Sequence, residues 1–307
     1  MTTAPEPLCV LVTGATGFIG SRLVPALLEA GHDVKAMTRN PDDYAGLGTP
    51  VAGDVSDPGS LGEAMSGVDV AVYLVHSLDD DAFESKDAEA ARFFALAAAA
   101  SGVQQIVYLG GLGKDGEELS AHLRSRREVE KLLGASGVPV TVLRAAIVVG
   151  AGGISWEMTR QLVKNLPAMV VPRWAATRTQ PIALDDVIRY LAGVVGVEKT
   201  YGQVYEIGGS DRLSYVEMLQ QAAQVINGRR VPLVTVPVLT PGLSARWIRF
   251  VTDVDTTTAS NLIHSMSTEV LQTDYSIQDI VPGEPLSYVE AVRAAVADDA
   301  DDAADAL

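Results

Sequence analysis

Apolar runs and helical repeats alternate along the first 150 residues. Leu8 to Thr13 has the pattern of a strand covered on both faces. Ser21 to Ala30 follows with helical spacing of its apolar positions, and Gly31 stops it. Further strands are predicted at Asp33 to Thr38, Val51 to Asp54, Val68 to Val75, Gln105 to Leu109 and Val138 to Leu143. Helices are predicted between them over Pro58 to Met65, about Asp81 to Ala100, and Ser120 to Leu133, with Ser120 as N-cap. This rhythm builds βαβ units on a parallel sheet. After Gly150 it loosens. Helices are expected at Ser155 to Leu166, Asp185 to Val195, Tyr215 to Ile226 and Tyr288 to Ala297, with a strand at Val204 to Ile207. Beyond Pro232 the chain reads as two or three helical pieces punctuated by proline.

Composition narrows the class without naming a chemistry. A chain that is 48% hydrophobic and 20% charged is ordinary for a folded protein and excludes wholesale disorder. No apolar run approaches the roughly 18 residues that cross a bilayer, and the N-terminus has neither the basic nor the apolar part of a signal peptide. The single cysteine, Cys9, excludes a disulfide framework and a thiolate metal cluster, so a reducing, cytoplasmic setting is expected. The net charge of −16 argues against a nucleic-acid partner. Part of that charge sits in the terminal DDADDAADAL (298–307), expected to be a solvated, disordered tail. The four histidines (32, 76, 122 and 264) show no metal-ligand spacing.

The sharpest local pattern is Gly14-Ala15-Thr16-Gly17-Phe18-Ile19-Gly20, between a buried strand and the first helix. Gly14 permits a tight turn, Gly17 lets backbone approach a pyrophosphate, and Gly20 lets helix and sheet pack closely. The helix start offers free amides and a positive dipole end to a diphosphate. The dinucleotide is discriminated at the end of the second strand. An enzyme for NAD usually carries an acid there; this chain reads Met37-Thr38-Arg39-Asn40. A guanidinium at Arg39 pairs with a 2′-phosphate, and a charge-assisted contact of about 1.5–3 kcal/mol gives roughly a tenfold to hundredfold preference. NADP(H) is the expected cofactor.

From residue 8 to about 236 the chain resembles the extended short-chain dehydrogenase/reductase family. Besides the glycine turn, the resemblance rests on GDVSDPGSL (53–61), VPVTVLRAAIVVGAGG (138–153), QPIALDDVIRYLAG (180–193) and GQVYEIGGSDRLSYVEML (202–219). It implies an α/β fold: a Rossmann-type, doubly wound parallel sheet of about seven strands, from 1–155 plus 181–209. A smaller, mostly helical substrate-side subdomain would come from 156–180 plus 210–297. It also implies cofactor contacts at Asp54 with Val55, placed for the adenine, although Asp54 reads equally as a turn residue. Val75 and His76, with Ser77, end the fourth strand on the edge where cofactor and substrate would meet.

The catalytic segment departs from that family. Where the family carries Tyr-x-x-x-Lys, this chain has His122-Leu123-Arg124-Ser125-Arg126, with Glu130 following. The serine or threonine expected after the fifth strand is missing from Leu109-Gly110-Gly111-Leu112-Gly113. With LVHSL at 74–78, these departures resemble the atypical, NmrA-like branch, which keeps the cofactor site and lacks the usual active-site residues. On this reading His122 is the candidate acid/base, an imidazole titrating nearer neutrality than tyrosine without help, and Arg126 anchors the nicotinamide ribose while tending to lower the His122 pKa. The alternative for His122 is a half-exposed residue in a first helical turn.

Arg173, Trp174 and Arg178 share a loop expected to border the pocket, or to be solvated; Trp156 and Met158 read as packing. Trp247, Ile248, Phe250 and Val251, flanked by Arg246 and Arg249, read as core against the nucleotide-binding part or as a partner face. Two functions follow: an NADP(H)-dependent oxidoreductase on a small carbonyl, enone or quinone-like substrate, or a non-catalytic NADP(H)-binding sensor for a protein partner. A homodimer through the helices at 81–100 and 120–133 is what the resemblance implies.

Overall fold

Alternating side chains give the central sheet its two covers. The computed structural model describes residues 6–77, 80, 82–113, 119–236, 266 and 268–305. In β1 (Cys9–Val12), Val10 and Val12 pack on one face and Leu11 on the other. Strands β2 (Asp33–Thr38), β3 (Thr49–Ala52), β4 (Val70–Tyr73), β5 (Gln105–Gly111) and β6 (Val140–Ala145) continue the sheet. Helices α1 (Gly20–Glu29), α2 (Pro58–Ala64), α3 (Phe83–Ala100) and α4 (Ala121–Gly134) intervene. Later in the chain come β7 (Val148–Val149), α5 (Ile154–Asn165), β8 (Met169–Pro172), β9 (Arg178–Thr179), β10 (Ile182–Ala183) and α6 (Leu184–Val194). They are followed by β11 (Val204–Ile207), β12 (Leu213–Ser214), α7 (Tyr215–Asn227), β13 (Leu233–Val236) and a last helix, α8 (Tyr288–Asp305).

The main sheet has seven parallel strands in the order β11-β6-β5-β4-β1-β2-β3. The order reverses at β1 and β4, and such a switch point opens a crevice at the carboxyl ends of the strands. Val10, Val12, Val72, Val107 and Leu143 pack with Leu23 and Leu27 of α1 and Val187 and Leu191 of α6. The opposite face sets Leu11, Tyr73, Ile106, Tyr108 and Val142 against α2, α3 and α4. This is the parallel sheet expected from the alternation, in the Rossmann-type arrangement that the resemblance implies. A separate cluster holds Trp156, Leu162 and Val163 of α5, Met169, Met218 and Ala222 of α7, and Tyr288 and Val292 of α8. Trp156 and Met158 are therefore core residues. Among the described residues, no helix is long and apolar enough to cross a membrane.

Two expectations need correction. Leu233–Val236 is a strand, parallel to Met169–Pro172, rather than part of a helix. Its valines and threonine suit a pleated surface better than a helix, and β8 supplies the partner. Residues 237–265, with the Trp247 patch and His264, lie outside the described residues. The terminal helix also runs on to Asp305 where a disordered tail was expected at 298–307. Alanine supplies the propensity. Asp298 and Asp299 find partners: the Trp156 indole N–H donates to Asp299 Oδ2 at 3.1 Å, and Arg22 lies 3.7 Å from Asp298.

Candidate dinucleotide and substrate site

Thr13 fixes the switch point. Its buried hydroxyl donates to the Val72 carbonyl at 3.1 Å and accepts the Leu74 amide at 2.9 Å, joining the ends of β1 and β4. The chain then turns at Gly14, whose φ of +63° lies in the left-handed region that favours glycine. The Gly17 amide closes the turn on the Gly14 carbonyl at 2.9 Å. A Cβ on Gly20 would stand 2.2 Å from that same carbonyl oxygen and 2.8 Å from the Ala15 Cα, so only glycine lets the helix start lie on the turn. Ile19 caps α1 without a side-chain hydrogen bond, and the first turn holds no acid. Ala15 is buried, Thr16 and Gly17 are exposed, and Phe18 and Ile19 are half-buried. Bare helix-start amides behind exposed backbone fit a diphosphate.

Arg39 immediately follows β2, is exposed, and has no ion-pair partner among the described residues. The neighbouring Thr38 hydroxyl accepts the Asn40 amide at 3.3 Å, which shapes the bend presenting the guanidinium. Asp54 lies beyond β3, one oxygen accepting the Ser56 amide at 2.8 Å and its own amide donating to Ser60 Oγ at 2.9 Å. That is turn work, done by one oxygen. Val55 is buried in the adjoining core. Val75 leans over the glycine turn, its Cγ2 3.7 Å from the position of a Gly14 Cβ.

A cavity of about 240 Å³ opens beside this turn. Phe18, Ile19, Leu74 and His76 wall one side, and Leu109 to Leu112 with His122, Leu123 and Arg126 wall another. Ala145 to Val148, Gly153 to Ser155, Tyr215, Met266 and Val270 complete it. The structure thus gathers the turn, His76, His122 and Arg126 around one space, while Arg39 and Asp54 are not among its lining residues. Arg178 is exposed in β9; the side chains of Arg173 and Trp174 are outside the described set. The Leu109–Gly113 segment contributes no hydroxyl to the wall.

The electrostatics of this space centre on Arg126. Its stem crosses Gly111, with Cγ 3.6 Å from where a Cβ would be. Among the described residues it has no carboxylate at ion-pair distance. Burial first, and the guanidinium second, push the His122 pKa down to about 3. His76 is exposed at the rim but also held well below its ordinary value, mainly by Arg126, then by the protein around it and by His122. Both imidazoles are neutral at physiological pH. The lowering by Arg126 was expected from the spacing; the depth contributed by burial was not.

Two residues missed in the sequence support this wall. Asp87 of α3 is buried, accepts the Ser77 amide at 2.9 Å and takes the Ser125 hydroxyl at 3.4 Å, so it joins the His76–Ser77 segment to α4. Burial raises its pKa, and Arg126 partly offsets that rise. An acid at a buried position of an alanine-rich helix was the available signal. Tyr215, which opens α7, brings a buried phenol whose pKa burial raises. Glu130, by contrast, does not line the cavity. It takes a two-pronged contact from Arg144 at 2.7 and 3.1 Å and another from Arg127 at 3.3 Å, bracing α4 against β6.

A family model described as NAD(P)H-binding matches residues 14–174. The (4-alkanoyl-5-oxo-2,5-dihydrofuran-3-yl)methyl phosphate reductase of Streptomyces griseus is 30% identical over 229 residues, covering 71% of this chain and 73% of that protein. Among solved structures, the triphenylmethane reductase of a Citrobacter species complexed with NADP(H) superposes with a TM-score of 0.76 at 18% identity, covering 93% of this chain and 99% of that one. The NADPH-dependent quinone oxidoreductase of Escherichia coli, complexed with NADPH, gives 0.75 at 23% identity, with 92% and 98% covered. These two likenesses concern the fold.

Proposed function

The chain belongs to the NAD(P)H-binding family whose model spans residues 14–174, and from that premise we propose that it is an NADP(H)-dependent oxidoreductase acting on a small carbonyl, enone or quinone-like substrate. The observation that carries the proposal is the glycine cradle with a cavity beside it: Gly20 against the Gly14 carbonyl, and a space lined by Phe18, His76, His122 and Arg126. In this reading the amides from Ala15 to Gly20 hold the diphosphate, and Arg39 meets the 2′-phosphate. Val75 covers the turn, and Asp54 turns its free carboxylate oxygen to the adenine amine beside Val55. A bound reduced nicotinamide supplies hydride. Around the cavity, Arg126 and the rim His76 orient the nicotinamide ribose and substrate, and His122 donates a hydrogen bond from a neutral ring. The apolar walls exclude water from the reacting face. The related reductase of S. griseus and the two dinucleotide-bound reductases of the same fold support this assignment.

Calorimetry with NADPH and NADH tests it. NADPH is expected to bind about tenfold to a hundredfold more tightly, and Arg39→Asp to erase the difference. Equal affinity in the unaltered protein refutes the NADP assignment; absence of heat with both refutes the family role. A second reading, a non-catalytic sensor of NADP(H), is favoured by the neutral His122 and the hydroxyl-free 109–113 segment. It requires different affinities for NADP⁺ and NADPH and no turnover with any acceptor.

A further inference from the structure

Among the described residues, the nucleotide side of the cavity holds a strong cation and no efficient proton donor. Arg126 brings a fixed charge with five N–H donors, enough for a ribose hydroxyl and a second oxygen, and cannot itself be deprotonated. The groups around it are neutral or committed. His76 and His122 are neutral near pH 7, each able to donate a hydrogen bond but not to release a proton as an imidazolium would. The Tyr108 phenol is buried, with its hydroxyl on the Arg126 carbonyl at 3.3 Å. Asp87 is engaged with Ser77 and Ser125. What remains is a preorganised site for a negative oxygen in apolar surroundings, where such charge stabilisation is strongest.

We propose that Arg126 holds the oxyanion formed on the substrate, and that the pocket therefore takes conjugated acceptors, enones or quinones, rather than isolated ketones or aldehydes. The proposal rests on the oxidoreductase reading and narrows its substrate class. Hydride from the reduced dinucleotide adds to the β-carbon of an enone. The C=C pair shifts towards the carbonyl carbon and the C=O pair onto oxygen, leaving an enolate with one negative charge and an oxidised pyridinium ring. A quinone accepts the same two electrons and hydrogen to become a hydroquinone monoanion. Arg126 pairs with that oxygen, neutral His122 donates to it, and water delivers the proton after transfer. Charge spread over a conjugated system makes this workable: a phenol ionises near pH ~10. A simple alkoxide is nearly as basic as hydroxide, far more so than a phenolate, and needs a proton during transfer. Among the described wall residues the Tyr215 phenol still holds its proton, but burial raises its pKa and makes it a poor donor for that task at neutral pH.

The test uses 4-nitrophenol, whose ionisation is visible by colour, with the full chain and no dinucleotide. Saturable binding is expected, with the bound phenol ionising about one pH unit lower than free, a tenfold preference for the anion. Arg126→Met should abolish the shift and Arg126→Lys should retain part of it, with unchanged circular dichroism as the check on folding. Absence of saturable binding, an unmoved ionisation, or a shift that survives in Arg126→Met overturns the proposal. Turnover gives the second arm: NADPH with cyclohexenone or a benzoquinone should outpace cyclohexanone at least a hundredfold in kcat/KM, and comparable rates overturn it. Failure of NADPH to bind sinks the oxidoreductase reading alone, because the phenol titration reads the pocket without it.

Discussion

The Ser77 amide donates to the buried Asp87 carboxylate at 2.9 Å, which ties the loop after β4 to α3 and, through Ser125, to α4. The segment after β4 and α4, which both line the cavity, thus share one acceptor supplied by α3. Asp87→Ala should lose about 1–3 kcal/mol, the cost of leaving a buried donor unsatisfied. Asp87→Asn keeps an acceptor oxygen and should lose less than half as much. Urea unfolding of both variants checks this; equal losses would show that packing, rather than the hydrogen bond, carries the position.

Gly20→Ala is the severe test of the cradle. Its Cβ would overlap the Gly14 carbonyl oxygen at 2.2 Å, and both contacts are backbone, so no side chain can swing away. The expected cost is about 1–3 kcal/mol from overpacking, with NADPH binding reduced at least tenfold by the displaced turn. Ala at Gly62, where a Cβ would meet nothing within 4 Å, is the matched control and should leave binding unchanged.

His122 should make stability depend on pH in a defined window. Its folded pKa of about 3 lies below its ordinary 6.5, so between those values the unfolded chain binds the extra proton. Stability from this group is complete above pH 6.5 and is lost as pH falls from there towards 3. His76 acts in the same direction, for its pKa is also lowered. Urea midpoints measured from pH 7.5 to 4.5 should fall less steeply in His122→Gln than in the unaltered protein. Parallel curves would mean the imidazole is freely solvated.

The sheet was legible because its signal is local and repeated: apolar strands, helical periods and the glycine turn sit in consecutive stretches of chain. Ser120 even declared the start of α4, and its Oγ accepts the Leu123 amide at 3.3 Å. The gathering of Gly14–Gly20, His76, His122 and Arg126 was legible only through the resemblance that placed α4 beside the turn. What escaped depends on burial by distant elements. Nothing near His122 in sequence announces the apolar enclosure that lowers its pKa, and nothing near Asp87 names Ser77 as its donor. Glu130 sat in register with the atypical segment, yet its partner Arg144 comes from β6. The pairing of β13 with β8 was hidden for the same reason: its register joins Leu233 to Met169, far back in the chain.

The terminal helix offers the last test, because composition and structure disagree about it. Read as charge alone, 298–307 is a solvated tail whose removal costs nothing. In the structure Trp156 is nearly fully buried and its indole N–H donates to Asp299 at 3.1 Å, with Arg160 3.6 Å from the same carboxylate. The Arg22–Asp298 pair is more exposed and longer, so it should contribute at most about 1 kcal/mol. Deleting 298–307 strands the Trp156 donor in an apolar core and should cost about 1–3 kcal/mol. Asp299→Ala should reproduce most of that loss and Asp298→Ala little of it, as urea midpoints followed by circular dichroism will report. Trp156 belongs to the helix whose first residues, Ile154 and Ser155, line the cavity, so the deletion should also weaken substrate binding more than NADPH binding. A deletion variant as stable as the full chain would return these aspartates to the solvent.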